Sequence, residues 1–541
     1  MNSKLYCVFL VLLLCFIVTF QAQELEAVYV VPESSPNRSF DGEPCITLSE
    51  FATNNNLKSV EQLLIVFVPG YHTLDSDIYI ANISRLSLIL SDDYSSFEMA
   101  SITCQHNSRL YFEDIGSVVI GNLTFLGCGN KVLSCDRLTV EGSTFIGHNE
   151  SGTALEVIKT SACIINNCSF VSNIVGNYRG LFKDPFKSSV FGFAYIGGAL
   201  ITHQSHAIID NTLFKGNRAE LGGAVFVIAS NFTITNSVFA NNSVDKLCTS
   251  VYLGGALFCV KSSISLIKSE LYGNHAGYAG GVIFINNDIF KDNVSKFYDA
   301  VADVDGAAVV YNQSNILIHN FEFLTHTGTK LHSRDNKQYL SVVNINGSLF
   351  HWNTAYIGGV ISLADPPSLV NIYQSKFVNN YGRFGGVISI SSKDSNITFM
   401  NSLFDQNIGG TQGGVLDSNG QSTVTFTECI FSNNRADIFP GGAMCVSDTK
   451  SLIINGSLFI NNSATNYVGG AIRLQGANLI LENSSLIANS ACYGGAIYLS
   501  ERSSADFHSL GEIRHVLCVI LEILGEGKST LGGGDPLWWQ Q

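Results

Sequence analysis

The stretch Phe377-Val-Asn-Asn-Tyr-Gly-Arg-Phe-Gly-Gly-Val-Ile388 decides the fold, because its pattern returns at a fixed spacing. An aromatic residue is followed three positions later by Asn380, and the pair Gly385 and Gly386 then precedes two aliphatic residues. From Phe350 to Leu486 the successive anchors lie 27, 27, 27, 28 and 27 residues apart. The matching positions of the later copies are Phe404, Asn407, Gly413, Gly414, Phe431, Asn434, Gly441, Gly442, Phe459, Asn462, Gly469, Gly470, Asn489, Gly494 and Gly495. A period this regular indicates one structural unit repeated along the chain.

The same unit recurs less regularly upstream. Its apolar anchors there are Phe125, Phe145, Phe170, Phe214, Phe239, Leu271, Phe290 and Phe323. Gly280 and Gly358 are 78 residues apart without a Gly pair between them, but 78 is three times 26, and Asp305-Gly-Ala-Ala-Val309 stands where a degenerate pair is due. We interpret this gap as two degenerate repeats, which gives fourteen coils from Phe125 onward.

Each unit contains three runs of four to seven residues rich in Val, Ile, Leu, Phe and Ser, and it is too short for a helical crossover. Three short strands per unit predict an all-β parallel β-helix, a solenoid of about 14 or more coils. Stacking would make the Phe positions an interior ladder. The Asn is expected at a turn, where its amide can bond to its own backbone and to the Asn of the next coil, and where it tolerates positive φ. The Gly pair supplies positive φ and space.

The two ends differ from the repeats. The apolar run Leu63–Phe67 looks like a first strand, so the β-helix is expected over residues 63–504. Thr47-Leu-Ser-Glu50 has the spacing of a capping box, which predicts a short helix within an N-terminal cap over residues 23–62. Apolar residues between Ile513 and Leu524 have helical spacing. The tail, residues 505–541, is interpreted as a helical cap, a partner-binding segment, or non-native sequence from a truncated or misjoined gene.

The N-terminus is typical of an exported protein. Lys4 precedes the apolar stretch Leu5–Phe20, and Ala22 and Glu24 follow it, which predicts a secretory signal peptide over residues 1–22; an uncleaved anchor is the alternative. No later apolar run reaches the ~18 residues of a membrane span, so no transmembrane segment is expected in the mature chain. The net charge is −14 without a Lys/Arg cluster, which argues against nucleic acid as a partner.

Cysteines and glycosylation sequons agree with secretion. Removing the signal peptide leaves twelve of the 14 cysteines, an even number in an oxidising compartment. Those that crowd the N-terminal third, where disulfides are expected without a derivable connectivity, are Cys45, Cys104, Cys128, Cys135, Cys163 and Cys168. The chain has fourteen Asn-x-Ser/Thr sequons. They include the candidate N-glycosylation sites Asn82, Asn122, Asn231, Asn396 and Asn483.

Phe-x-x-Asn followed by Gly-Gly-Ala-Ile resembles the repeat of the polymorphic outer membrane protein family and of related pectin-lyase-like right-handed β-helix proteins. The resemblance covers about 370 of the 541 residues. It implies a right-handed β-helix in a surface-exposed or secreted adhesive protein, often an autotransporter passenger in bacteria. The chain departs from that pattern because only 44 residues follow Ile497, too few for a translocating barrel.

No reactive constellation stands out in the sequence. Asp303 and Asp305 would share a strand face and Asp92 and Asp93 are adjacent, but neither pair has a basic partner at matching height, so solvated carboxylates are the better interpretation. No Cys-x-x-Cys or Cys-x-x-His pair suggests a metal site. We therefore predict no catalytic, cofactor-binding or metal-binding residue. The loop Tyr178–Phe186 is either a binding surface or an ordinary surface loop.

These observations favour a non-enzymatic β-helix module, secreted or at the cell surface, that acts in adhesion or binds a glycan or a matrix protein. One alternative is a polysaccharide lyase or hydrolase whose acidic groove forms only in three dimensions. Another is an autotransporter-like passenger that lacks its barrel and would lie at the outer membrane of a bacterium.

Overall fold

The structure is a computed structural model of the chain. It describes residues 25–34, 39–40, 43–53, 60–91, 99–105, 108–148, 153–175, 197–219, 221–244, 254–276, 283–286, 289–299, 301–302, 309–312, 314–319, 322–324, 331–333, 341–363, 367–500, 502–510, 513–514 and 520–521. The predicted signal peptide, the loop Tyr178–Phe186 and the pairs Asp92, Asp93 and Asp303, Asp305 lie outside the described residues.

Three long parallel sheets run along the molecule, and the chain visits them in turn. Strands of the first sheet are Leu25–Val30, Glu43–Ile46, Gln62–Phe67, Arg85–Leu90, Ser117–Gly121, Arg137–Glu141, Ala162–Asn166, His206–Asp210, Asn231–Thr235, Ser263–Ile267, Ile289–Asn293, Asn315–His319, Ser341–Asn346, Ser368–Tyr373, Asn396–Met400, Thr423–Thr427, Ser451–Asn455, Asn478–Glu482 and Ser504–His508. The strand Ser39–Phe40 pairs antiparallel with Glu43–Ile46.

The second sheet follows the first in each coil. Its strands are Gly70–Leu74, Ala100–Cys104, Leu123–Leu126, Thr144–Ile146, Ser169–Val171, Leu213–Lys215, Val238–Ala240, Glu270–Tyr272, Lys296–Tyr298, Glu322–Leu324, Leu349–His351, Lys376–Val378, Leu403–Asp405, Ile430–Ser432, Leu458–Ile460, Ser485–Ile487 and Ile513–Arg514.

The third sheet completes the coil. Its strands are Ile78–Ala81, Arg109–Glu113, Gly129–Leu133, Leu155–Ile158, Leu200–His203, Val225–Ile228, Leu257–Val260, Ile283–Asn286, Val309–Asn312, Leu331–Ser333, Ile361–Leu363, Ile388–Ile390, Leu416–Ser418, Met444–Ser447, Ile472–Gln475, Ile497–Leu499 and Ile520–Leu521.

Short strands lie between the second and third sheets and form two smaller sheets. The four-stranded one contains Arg218–Ala219, Ser243–Val244, His275–Ala276 and Val301–Ala302. The six-stranded one contains Thr354–Ile357, Tyr381–Phe384, Ile408–Gln412, Arg435–Ala436, Ser463–Val468 and Ser490–Tyr493. The predicted all-β right-handed parallel β-helix is thereby confirmed, with a fourth short strand in many coils that the sequence had not indicated.

The stacking register confirms the fourteen predicted coils and corrects one anchor. Phe297, not Phe290, stacks between Leu271 and Phe323 in the second sheet. Phe290 instead lies in the first sheet, paired with Ile264 and Ile316. Both residues are apolar and inward-facing, and a spacing argument alone cannot tell the two sheets apart. Strands of the third sheet also continue through the stretch between Gly280 and Gly358, so the two degenerate repeats form coils of the solenoid.

The Phe positions form a continuous stack inside the solenoid. Successive rings from Phe350 to Phe459 are nearly parallel, with centroids 4.4–5.0 Å apart. Each of these side chains is fully buried. Parallel in-register strands place equivalent residues about 4.8 Å apart, so one aromatic residue per coil necessarily meets the next. This ladder and the aliphatic residues of the first and third sheets make one core.

A buried amide ladder runs beside the rings. The Nδ2 atom of Asn407 donates to Oδ1 of Asn434 at 2.9 Å and to the Phe377 carbonyl at 2.9 Å. The same two bonds recur at Asn380, Asn434 and Asn462. The predicted bond between coils is confirmed, but the predicted positive φ is wrong for these residues. The residue just before each one adopts it, as at Asn379 and Asn433, with φ of 53° and 54°.

The Gly pair permits a close approach between coils. Gly385 has φ of +68°, in the left-handed region. A Cβ atom on Gly386 would lie 2.0 Å from the carbonyl oxygen of Gly414 in the next coil. No side chain fits at that distance, so the second Gly of each pair is required by stacking and the first by the turn.

The N-terminal cap contains the predicted helix, Leu48–Thr53. The capping box is formed in both directions, because the Thr47 backbone N–H donates to the Glu50 carboxylate at 2.8 Å and the Glu50 N–H donates to the Thr47 hydroxyl at 3.2 Å. Phe51 joins the core. Stacking begins before Leu63, since Leu25–Val30 pairs with Gln62–Phe67.

The C-terminal tail continues the sheets. Ser504–His508 pairs with Asn478–Glu482, and the described pairs Ile513–Arg514 and Ile520–Leu521 extend the second and third sheets. Helical spacing after Ile513 therefore does not produce a helix in the described part of the tail. Within the described residues, no helix has the length and apolar character to cross a membrane.

One disulfide joins the first coils, between Cys104 and Cys128. Cys135, Cys163 and Cys168 are buried without a disulfide partner. Cys168 occupies a position that is Thr212 in the next coil, and its backbone N–H donates to that hydroxyl at 3.4 Å. The cysteines in this part of the chain therefore have two roles. One pair forms a disulfide, and Cys168 occupies an interior position that suits a small side chain.

Candidate functional site

The six-stranded short sheet forms an exposed surface between the Asn turn and the Gly pair of each coil. We call the surface made by residues 354–357, 381–384, 408–412, 435–439, 463–468 and 490–493 the arm face. Its strands stack in register, for example Tyr381 on Ile408 and Ile408 on Arg435. The buried ladders fix the backbone at both ends of each strand, so side chains here project from a rigid support.

The arm face is the place where large apolar side chains accumulate on the surface. Tyr356, Tyr467 and Tyr493 are 61%, 45% and 60% exposed, and Ile438 and Phe439 are 58% and 45% exposed. Tyr356 packs edge-on against Phe384, and Phe439 edge-on against Tyr467, with centroids 5.9 Å apart in both pairs. Exposed apolar side chains that cluster on one surface often mark a binding site.

Arg383 is the central cation of this surface. Its guanidinium carbon lies 5.1 Å from the centroid of the Tyr356 ring and 5.8 Å from that of Phe384. Nη1 donates to the Tyr356 hydroxyl at 3.2 Å and Nε donates to the Thr411 hydroxyl at 3.4 Å. The ring contacts and the two bonds hold an exposed guanidinium in one orientation.

A notch interrupts the aromatic surface at one coil. The strand Ile408–Gln412 contains the small residues Gly409, Gly410 and Thr411, whereas the strand of the preceding coil has Arg383 and Phe384 after Gly382, the partner of Gly409. The Tyr381 hydroxyl covers Gly410, so closely that a Cβ atom there would lie 2.2 Å from it. The flanking strands are two steps apart, about 9–10 Å. Gly409, Gly410 and Thr411 are buried, and Arg383 and Phe439 both hydrogen-bond to Thr411. We call this stretch of small residues in the arm face the notch.

A polar column lies beneath the notch, on the outer side of the third sheet. Ser389, Asp417, Cys445 and Arg473 stack in that order. Asp417 is buried and accepts a hydrogen bond from Gln412 Nε2 at 2.6 Å. Burial raises the pKa of Asp417 to about 6, against the opposing effects of Gln412 and Arg473. Burial likewise raises the pKa of Cys445 to about 12.

The predicted repeat residues do not line this surface. Phe377, Asn380, Phe404, Asn407 and their equivalents lie in the interior, and the Gly pairs lie at the end of each arm strand. They position the arm face without forming it. The five candidate glycosylation residues Asn82, Asn122, Asn231, Asn396 and Asn483 are exposed, and none lies on an arm strand.

The arm face was missed by motif searching, although the sequence carries a signal for it. Among the six Gly pairs from Gly358 to Gly494, an aromatic residue stands one or two positions before five. These residues are Tyr356, Phe384, Phe439, Tyr467 and Tyr493. The pair Gly413 and Gly414 follows Thr411 and Gln412 instead, which marks the notch. No sequence pattern indicated Asp417, because its burial depends on the arm strand that covers it in the folded chain.

Among the residues that the structure describes, no three His, Cys, Asp or Glu side chains are grouped closely enough to hold a metal ion.

Comparison with known proteins shows similarity to part of a longer protein. No protein-family model matches the chain. A metabotropic glutamate receptor-like protein R from Dictyostelium discoideum is 25% identical over 288 residues, covering 43% of this chain and 16% of that protein. The matched region is thus a small part of a much longer protein, and the resemblance to polymorphic outer membrane repeats stays a prediction.

Among solved structures, a mutant of a PL6 family alginate lyase aligns over 94% of this chain and 99% of its own, with 10% identity and a TM-score of 0.23. Similarity at this level says nothing about activity. The solenoid rests on the strand register described above.

Proposed function

We propose that the chain is a non-enzymatic extracellular or cell-surface β-helix module that binds a glycan, and that the arm face is its binding surface. The observation that carries this proposal is the row of exposed aromatic side chains on rigid, stacked strands. Flat rings with polar edges suit sugar rings, whose faces present C–H groups and whose rims present hydroxyls. The Tyr hydroxyls and Gln412 supply hydrogen-bonding groups along the same surface.

Rigidity supports binding over a long surface. A ligand that docks on a preformed face loses less free energy to ordering of the protein than one that must organise a loop. The coils repeat about every 4.8 Å, close to the length of one sugar unit. An extended glycan can therefore meet equivalent positions on successive coils.

The placement of the sequons agrees with this use. Asn122 and Asn483 lie at the turn between the first and second sheets, and Asn231 and Asn396 begin first-sheet strands. Attached glycans at these sites would cover other edges of the solenoid. None of these four residues lies on an arm strand.

A glycan array and a cell-binding assay on the secreted, deglycosylated chain test the proposal. Tyr467→Ala is expected to weaken binding about fivefold, since one stacked ring contributes on the order of 1 kcal/mol. Tyr71→Ala is the matched control, because Tyr71 is 77% exposed but lies on the second sheet, away from the arm face. Equal binding by all three proteins, or no binding to any glycan or cell, would contradict the proposal.

A second candidate is a polysaccharide lyase or hydrolase, and one observation favours it. Asp417 lies beneath the notch with a pKa raised to about 6 by burial, in a column that also contains Arg473. An acid that titrates near neutral pH can transfer protons. Incubation with polyuronates and calcium tests this function. Release of unsaturated sugars that is lost in Asp417→Asn would replace the binding proposal with the enzymatic one.

A further inference from the structure

We propose that Tyr79 and Tyr111 are a site of oxidative cross-linking, at which a carbon–carbon bond between the two rings ties the coil of residues 62–81 to the coil of residues 85–113. The observation behind this proposal is a stacked pair of tyrosines on the outer face of the third sheet. The pair lies in the N-terminal coils and not on an arm strand, so the proposal does not depend on the ligand of the arm face.

The register of the sheet holds the two rings face to face. Tyr79 and Tyr111 are direct partners in the parallel strands Ile78–Ala81 and Arg109–Glu113. Their ring planes differ by 3° and their centroids are 4.3 Å apart. Both side chains point away from the core, since the residues before and after each of them along the strand are buried. Tyr79 is exposed and Tyr111 is partly exposed, so an oxidant in solution reaches the pair.

Stacking alone does not require two hydroxyl groups. The interior ladder consists of phenylalanine rings from Phe350 to Phe459, and on the arm face Tyr356 contacts Phe384. Tyr79 and Tyr111 instead bring two phenols into contact. A phenol loses the hydrogen atom of its O–H group readily to a strong oxidant, which a phenylalanine ring cannot do.

The oxidant of the proposed reaction is hydrogen peroxide acting through a haem peroxidase, which removes one hydrogen atom from each phenol and leaves two phenoxyl radicals. The unpaired electrons are delocalised onto the Cε atoms, the ring carbons next to the one that carries oxygen. A bond then forms between a Cε atom of Tyr79 and a Cε atom of Tyr111. The hydrogen on each of these carbons moves to the oxygen of its own ring, which restores both hydroxyls. The two hydrogen atoms removed at the start reduce one peroxide molecule to two water molecules.

The environment of Tyr111 suits a transfer of hydrogen from ring to ring. Burial raises the pKa of Tyr111 to about 12, so its phenol keeps its proton at neutral pH. Tyr79 is one of the groups that interact with the Tyr111 hydroxyl. A radical formed first on the exposed Tyr79 can therefore take the hydrogen atom of Tyr111, and a second oxidation of Tyr79 completes the radical pair. Coupling within one chain is faster than coupling between two chains, because the rings are already in contact.

The bond would extend the covalent link that the disulfide already provides. Cys104–Cys128 joins the coil of residues 85–113 to the coil of residues 117–133. The strand Ile78–Ala81 is the first of the third sheet, and among the described strands its pairing partner is Arg109–Glu113. Each coil of a solenoid is held by its neighbours, so the strands at an end open most easily. Together the two bonds would hold three consecutive coils at this end.

Oxidation of the full secreted chain with a haem peroxidase and hydrogen peroxide tests the proposal. After digestion, mass spectrometry should find the peptides of Tyr79 and Tyr111 joined, with a mass two hydrogen atoms below their sum. The cross-linked chain should remain a monomer on a reducing, denaturing gel. The amides of Arg109–Glu113 should exchange with solvent at least about tenfold more slowly after cross-linking than before it.

Conservative variants assign the bond to this pair. Tyr79→Phe and Tyr111→Phe each keep a ring that can stack and remove a phenol, so both should fold and both should lose the joined peptide. Tyr71→Phe is the matched control, because Tyr71 is an exposed tyrosine of the second sheet, and it should leave the yield of the joined peptide unchanged. Free tyrosine in a parallel sample shows that the oxidant is active.

Three results would overturn the proposal. The first is absence of the joined peptide from the wild type under conditions that couple free tyrosine. The second is an undiminished yield of cross-linked monomer in both Tyr79→Phe and Tyr111→Phe. The third is a set of links in which Tyr79 and Tyr111 join other tyrosines as often as each other.

Discussion

Substitution of Asn434 by Ala should be among the most damaging single changes that leave the apolar core untouched. The Asn434 side chain is fully buried and takes part in four hydrogen bonds. Its Nδ2 donates to the Phe404 carbonyl and to Asn462 Oδ1, and its Oδ1 accepts from the backbone N–H and the Nδ2 of Asn407, all at 2.9–3.0 Å.

The expected magnitude follows from the partners left behind. In Asn434→Ala the Asn407 N–H and the Phe404 carbonyl each lose their partner in the buried interior. Each buried group without a partner costs about 1–3 kcal/mol. The sum, about 2–6 kcal/mol, exceeds the effect of an ordinary surface substitution, which is within about 0.5 kcal/mol.

The neighbouring residue provides the control. Asn433 is exposed and has φ of 54°, where Gly is well tolerated, and its side chain donates to the exposed Asp405 carboxylate. Asn433→Gly should therefore change the free energy of unfolding by a few tenths of a kcal/mol.

Hydrogen exchange is the suitable assay, because a repeat protein need not unfold in one step. The Asn407 amide should exchange at least about tenfold faster in Asn434→Ala, while Asn433→Gly leaves it unchanged. If the two variants exchange alike, or if Asn434→Ala loses less than about 1 kcal/mol in denaturant, the amide ladder does not stabilise the coil as argued.

Two further perturbations address other parts of the solenoid. Burial raises the pKa of Asp292 to about 8 from an ordinary 3.8, so the folded state binds this proton more tightly than the unfolded state does. The contribution of the protonated Asp292 to the free energy of unfolding is therefore complete below about pH 4 and declines as the pH rises toward 8. In Asp292→Asn, the denaturation midpoint should depend less on pH between pH 5 and 8.5 than it does in the wild type. An unchanged pH dependence would show that the Asp292 carboxyl is better solvated than its position between Leu266 and Ile318 implies. The Cys104–Cys128 disulfide joins two residues that are 24 positions apart in sequence. The double variant Cys104→Ser, Cys128→Ser should lower the free energy of unfolding of the first coils by about 3 kcal/mol, so that the N-terminal coils unfold at a lower temperature. Equal melting of the double variant and the wild type under oxidising conditions would contradict it.

The interior of the fold could be predicted from sequence, since stacking repeats each interior requirement every coil. Phe404 and Asn407 recur because each contacts its own equivalent above and below. Phe290 was misplaced because two inward-facing apolar positions in one coil look alike in a list of spacings. The helical expectation for Ile513–Leu524 failed where pairing with Leu486 and Leu499 imposes strand geometry.

The candidate site was harder to predict, since its residues do not have to match between coils. Arg383 occurs once, and Thr411 and Phe439 occupy related places in later coils. No interior contact fixes their identity, so no repeat marks them. The burial of Asp417 depends on Gln412 from another strand of the same coil, a contact that only the coordinates reveal.

The identity of contacts between coils has a consequence for length. Phe377 meets Phe404 as Phe404 meets Phe431, and the same holds for Asn380, Asn407 and Asn434. Loss of the 27 residues between equivalent positions would bring Phe377 onto Phe431 with the same contacts. Whole coils are thus interchangeable parts, and gain or loss of one would lengthen or shorten the surface by a fixed step. Such a change would alter the number and spacing of ligand contacts without requiring a new interior.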